Sequence, residues 1–111
     1  MKINKPVIIV LGEPNSTFTE ILSKVLNNQT IKKSIKYPII LIGSKMLVIS
    51  QLKKLGKKLK FETLEKDKIN NYNLKKKIYL IDIKYNFRKP FERISNKSKN
   101  YISKCFQTAF L

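Results

Sequence analysis

The sequence predicts an α/β fold, a three-layer sandwich around a mostly parallel sheet. Three observations carry that expectation. Two continuous apolar runs, residues 7–11 (VIIVL) and 38–42 (PIILI), each end at a glycine, Gly12 and Gly43; such runs mark strands covered on both faces. Each is followed by apolar residues at helical spacing. The order strand, helix, strand, helix, strand, strand, helix is that of crossover connections in a layered α/β domain.

The elements follow in order. Pro6 opens the first strand, and residues 12–16 (GEPNS) make a turn. Thr17 and Glu20 stand at capping-box spacing, with Thr17 as N-cap. Ile21, Leu22, Val25 and Leu26 give the first helix one apolar face, and Asn27-Asn28 stops it. After the second strand, Ser44 caps a helix that presents Met46, Leu47, Ile49, Leu52 and Leu55 and ends at Gly56. Residues 59–64 (LKFETL) read as a strand with one polar face, 65–73 as a polar loop, and 78–83 (IYLIDI) as another strand. Pro90 keeps 86–92 irregular. Tyr101, Ile102, Cys105, Phe106, Ala109 and Phe110 recur at helical spacing, so 95–111 reads as a helix.

At 111 residues the chain has room for one domain, spanning 1–111. Its last helix ends on Phe110 and Leu111. In an α/β unit a further strand follows such a helix, which predicts a sheet continuing beyond residue 111. The other reading is a small complete domain that buries both side chains in its own core.

Composition narrows the chemistry. Histidine is absent and Cys105 is the single cysteine, so the chain holds no histidine base, no Ser-His triad, no internal disulfide and no thiolate zinc site. No apolar stretch approaches the ~20 residues that span a bilayer, and the amino terminus lacks a signal-peptide pattern. A cytoplasmic, reduced setting without membrane contact is expected. Lys plus Arg number 24 against 7 Asp plus Glu, for a net charge of +17. Nearly all of it is lysine, spread along the chain, with only Arg88 and Arg93 as arginines. Arginine is the usual choice for bidentate phosphate and guanine contacts. A solvated lysine surface is therefore the expectation, and a small basic α/β module that binds nucleic acid is the alternative.

The turn at residues 12–17 lies beyond the carboxyl end of a strand, where open parallel sheets bind ligands. Its backbone N–H groups and the helix after it could hold an anion such as phosphate; a plain strand-to-helix connection is the other reading. Residues 42–45 (IGSK) are placed alike, with Ser44 read as a cap. Asp82, near a strand end, reads as a turn or cap acceptor. Cys105 reads as a small core residue.

The run 7–21 (VIIVLGEPNSTFTEI) resembles the opening of the 4-hydroxythreonine-4-phosphate dehydrogenase family. That family begins with an apolar strand, then G-[DE]-P, a short glycine-containing stretch and an acidic residue. Gly12, Glu13, Pro14 and Glu20 match it. The second strand, Gly43-Ser44, and the helix with Leu52, Leu55 and Gly56 are similarly ordered, and 95–101 falls where the family starts a long helix. The chain departs in having Ser16-Thr17-Phe18 where the family has glycine-isoleucine-glycine. It also lacks the family's substrate-phosphate strand and metal-binding histidines. The resemblance implies the N-terminal portion of a longer, two-domain, homodimeric enzyme with a fold like the isocitrate and isopropylmalate dehydrogenases. That enzyme carries out an NAD-dependent oxidation and decarboxylation of a phosphorylated hydroxy amino acid, in pyridoxal phosphate synthesis, with a divalent metal. Gly12, Glu13 and Pro14 would form a wall of the substrate or cofactor cleft. No catalytic residue and no metal ligand falls in this chain, which alone would bind neither NAD nor metal and would be inactive.

Overall fold

The computed structural model describes residues 6–12, 14, 17–65, 78–91 and 96–110. Its elements are β1 (Val7–Val10), α1 (Phe18–Asn27), α2 (Gln29–Ser34), β2 (Ile39–Gly43), α3 (Lys45–Leu55), β3 (Glu62–Thr63), β4 (Ile78–Asp82) and α4 (Asn96–Ala109). The strands form one sheet in the order β1-β2-β4-β3, and every neighbouring pair is parallel. Leu11 N–H extends the β1 ladder to the Ile42 carbonyl, and Ile83 N–H extends that of β4 to the Gly43 carbonyl.

The layering follows from handedness. The steps from β1 to β2 and from β2 to β3 move the same way across the sheet, so right-handed crossovers put α1 and α3 on one face. There Leu22, Leu26, Val48 and Leu52 close over Ile39, Leu41 and Leu80. On the other face Tyr101 and Cys105 of α4 pack on Ile40, Ile42, Tyr79 and Ile81. Odd and even residues of each strand thus serve opposite layers. All five residues of β2 are buried, as its run of branched apolar side chains requires.

β1 departs from the expectation of a strand covered on both faces. It lies at the sheet edge, and Val7 and Ile8 are 47% and 43% exposed. Its composition matches that of β2; its position in the sheet does not. The apolar face of α1 narrows to Leu22 and Leu26, because Ile21 and Val25 lie beyond the side that meets α3 and the sheet and stay exposed. In α3 the covered residues are Leu47, Val48, Gln51 and Leu52, while Met46 and Ile49 are exposed.

Three local expectations change. Thr17 does not cap α1: its ψ of 8° departs from the extended backbone that aims a capping oxygen, and its side chain makes no capping bond. Glu20 instead meets Lys24 at 3.4 Å, one turn on. Asn28 ends α1 and also starts α2, its Oδ1 accepting the Ile31 N–H at 3.1 Å. The strand expected over 59–64 contracts to Glu62–Thr63, which pair with β4, and the Leu64 N–H adds one bond to the Leu80 carbonyl. Gly56 ends α3 in the left-handed conformation (φ 66°), with its N–H on the Leu52 and Lys53 carbonyls.

Most of the loop expected at 65–73, together with Ser95 and Leu111, lies outside the described residues. Phe110 is 85% exposed, against the reading in which it fills the domain's own core. No helix among the described residues is long and apolar enough to cross a membrane.

Candidate functional site

The carboxyl ends of the strands carry the candidate positions. Gly12 follows β1 half-buried, and Pro14 is buried. Glu13, Asn15 and Ser16 lie outside the described residues. A Cβ built at Gly12 would meet nothing within 4 Å, so packing does not require glycine there. Glycine also serves where a ligand approaches the backbone closely.

Pro14 is held from below by Gln51 of α3. The Gln51 side-chain amide donates to the Pro14 carbonyl at 2.7 Å and to the Pro90 carbonyl at 2.8 Å. Its Oε1 accepts the Thr19 hydroxyl. One buried amide therefore joins the turn after β1, the first turn of α1 and the segment after β4. Both of its donors and its oxygen are satisfied, as a buried amide requires. The cavity between this amide and the turn has a volume of only about 10 Å³, too small for a nucleotide. The sequence signal for Gln51 was a polar residue on the helical stripe formed by Leu47, Val48, Leu52 and Leu55.

The second candidate, at 42–45, is closed by the protein itself. The connection from β2 enters the α1/α3 layer and that from β4 leads to α4 on the other face, so a topological switch point lies between them. Asp82 Oδ1 accepts the Lys45 N–H at 2.9 Å, and Ser44 Oγ accepts the Leu47 N–H at 3.2 Å. The Ser44 N–H donates to the Tyr101 hydroxyl at 2.7 Å. The amino end of α3, where a phosphate would sit, already has an internal carboxylate. Asp82 is further paired with Lys84 at 3.2 Å. The readings of Ser44 and Asp82 as cap acceptors are met.

Gly43 is the tight point beneath this arrangement. A Cβ there would lie 2.6 Å from Leu11 Cδ1 and 2.9 Å from the Tyr101 hydroxyl. Tyr101 stacks on Tyr85 at 4.5 Å between ring centroids, and Lys97 Nζ lies 5.6 Å from the Tyr85 ring centre. Burial pushes the Tyr101 phenol well above its ordinary value; the nearby Cys105 adds to the shift and the Ser44 N–H opposes it. The Cys105 thiol is fully buried, and burial pushes it up to about 11, against a lowering hydrogen bond with Tyr101. A thiol kept protonated in the core is inert.

Among the described residues no group of three His, Cys, Asp or Glu stands together, and Asp82 is committed to Lys45 and Lys84. The described residues offer no set of ligands that fits a divalent metal. No family model, curated protein or solved structure matches the chain.

Proposed function

We propose that this chain supplies an α/β portion of a 4-hydroxythreonine-4-phosphate dehydrogenase-like oxidoreductase, with Gly12, Glu13 and Pro14 as one wall of its substrate cleft. The observation that carries the reading is the G-[DE]-P run directly after the first strand of a parallel sheet, on the side where such sheets take ligands. Two structural facts support it. Gly12 opens onto free space, and Gln51 fixes Pro14 from beneath. In this reading Pro14 is the supported part of the wall and Gly12 the open part.

In this reading the enzyme is cytoplasmic and homodimeric, and its substrate is a phosphorylated hydroxy amino acid on the route to pyridoxal phosphate. The lysine-rich surface draws such an anion in. A divalent metal would polarise the substrate oxygen and NAD would accept the hydride. The described residues have no place for the metal, so no step is assigned to them beyond shaping the cleft.

The test is the product of the gene that encodes this sequence, given phosphorylated hydroxythreonine, NAD and a divalent metal. NADH formation is expected. Gly12→Ala should raise KM for the phosphorylated substrate and leave Tm unchanged. If no NADH forms, and duplex DNA binds with an affinity falling steeply from low to moderate salt, the basic nucleic-acid-binding module replaces this reading.

A further inference from the structure

Between α3 and β3 lies a groove of about 860 Å³, within the ~300–1,000 Å³ range of small-molecule sites. It opens where Ile39 and Ile78 begin β2 and β4, at the end of the sheet opposite Gly12, and reaches Lys45 along α3. Leu26, Ile49, Phe61 and Ile78 give it an apolar floor, and Ile49 is 43% exposed there. Around that floor stand Lys32, Lys45, Lys58 and Lys60, against one carboxylate, Glu62. None of these four ammonium groups is in an ion pair among the described residues. The Lys58 side of the groove is tied to the end of α1 by Asn27, whose Nδ2 donates to the Lys58 carbonyl at 2.5 Å.

The geometry points to a site for a small amphipathic carboxylate, its hydrocarbon body on the Ile49–Phe61 floor and its charge at the lysine rim. Burial of the chain on the floor supplies the apolar part of the affinity. The four ammonium groups discriminate against a neutral ligand of the same length. The site is independent of the cleft at Gly12.

The experiment is calorimetric titration of the whole chain with decanoate, decanol and acetate. Saturable decanoate binding is expected, with decanol and acetate weaker by about tenfold or more, which is ~1.4 kcal/mol. Lys58→Glu with Lys60→Glu should weaken decanoate about as much. Lys99→Glu with Lys104→Glu changes net charge equally on the exposed side of α4 and should leave binding unaltered. Circular dichroism checks that both pairs fold. Three results would each overturn the assignment: no saturable decanoate binding, decanol as tight as decanoate, or equal weakening by both charge-reversed pairs.

Discussion

The Asp82 carboxylate at the end of β4 accepts the backbone N–H of Lys45 at the start of α3. This contact joins the two strand ends at the switch point of the sheet and gives α3 a fixed counter-charge.

Asp82→Ala should destabilise the domain by about 1–2 kcal/mol in urea denaturation, since it removes both an acceptor and a charge at a helix amino end. Asp82→Asn keeps an acceptor and should cost less. Phosphate should raise the Tm of Asp82→Ala more than that of the parent, because the vacated helix end then accepts an external anion.

Gln51→Leu conserves approximate size and removes both amide donors from the Pro14 and Pro90 carbonyls. Each carbonyl left unpaired costs roughly 1–3 kcal/mol, so a loss of about 3 kcal/mol is expected. Amide exchange at Gly12 should quicken in the same variant, as the turn loses its support.

Gly43→Ala should cost about 1–3 kcal/mol through overpacking against Leu11 and Tyr101. Tyr101→Phe alone strips the Ser44 N–H of its acceptor. In the double variant the alanine penalty should shrink without vanishing, because the hydroxyl is gone and the 2.6 Å approach to Leu11 remains. A double-mutant cycle by chemical denaturation measures that coupling.

The Cys105 thiol gives stability a definite pH dependence. Its folded-state value is raised to about 11, so the unfolded chain loses this proton first. The contribution is fully present below the ordinary thiol value of about 8.5. It is lost as pH rises from there through about 11. Denaturation midpoints between neutral and strongly alkaline pH should fall, and Cys105→Ala should flatten that part of the decline. Thiol labelling in the native state should be slow at neutral pH.

The order of the strands and of α1, α3 and α4 was legible because β2 is an apolar run bounded by Pro38 and Gly43 and the stripes of α3 and α4 keep helical period, whereas α2 was not expected. Gly56, Ser44, Asp82 and Cys105 were legible because local chemistry decides each of them. Depth within the sheet was not, since 7–11 and 38–42 read alike and only the pairing order puts one at an edge. Asn28 was read as a stop, and it is a stop and a start at once. Thr17 has the spacing of a cap without the backbone angle, which spacing cannot report. The partners of Gln51 and the Gly43–Tyr101 approach lie 32 to 58 positions away in the chain, and no local pattern names such partners. The proposed cleft wall at 12–14 rests on a motif, whereas the lysine-rimmed groove needed the fold to bring residues 26, 49, 61 and 78 together.

The central claim is that the turn at Gly12 and Pro14 is the ligand-facing wall. The most direct measurement is titration of the isotope-labelled product of the gene that encodes this sequence with phosphorylated hydroxythreonine, followed by backbone amide resonances. A saturable shift at Gly12 is predicted, with Ser44 and Lys45 unmoved because Tyr101 and Asp82 occupy their N–H groups. Shifts at Ser44 and Lys45 with Gly12 still, or no saturable shift at any residue, would contradict it.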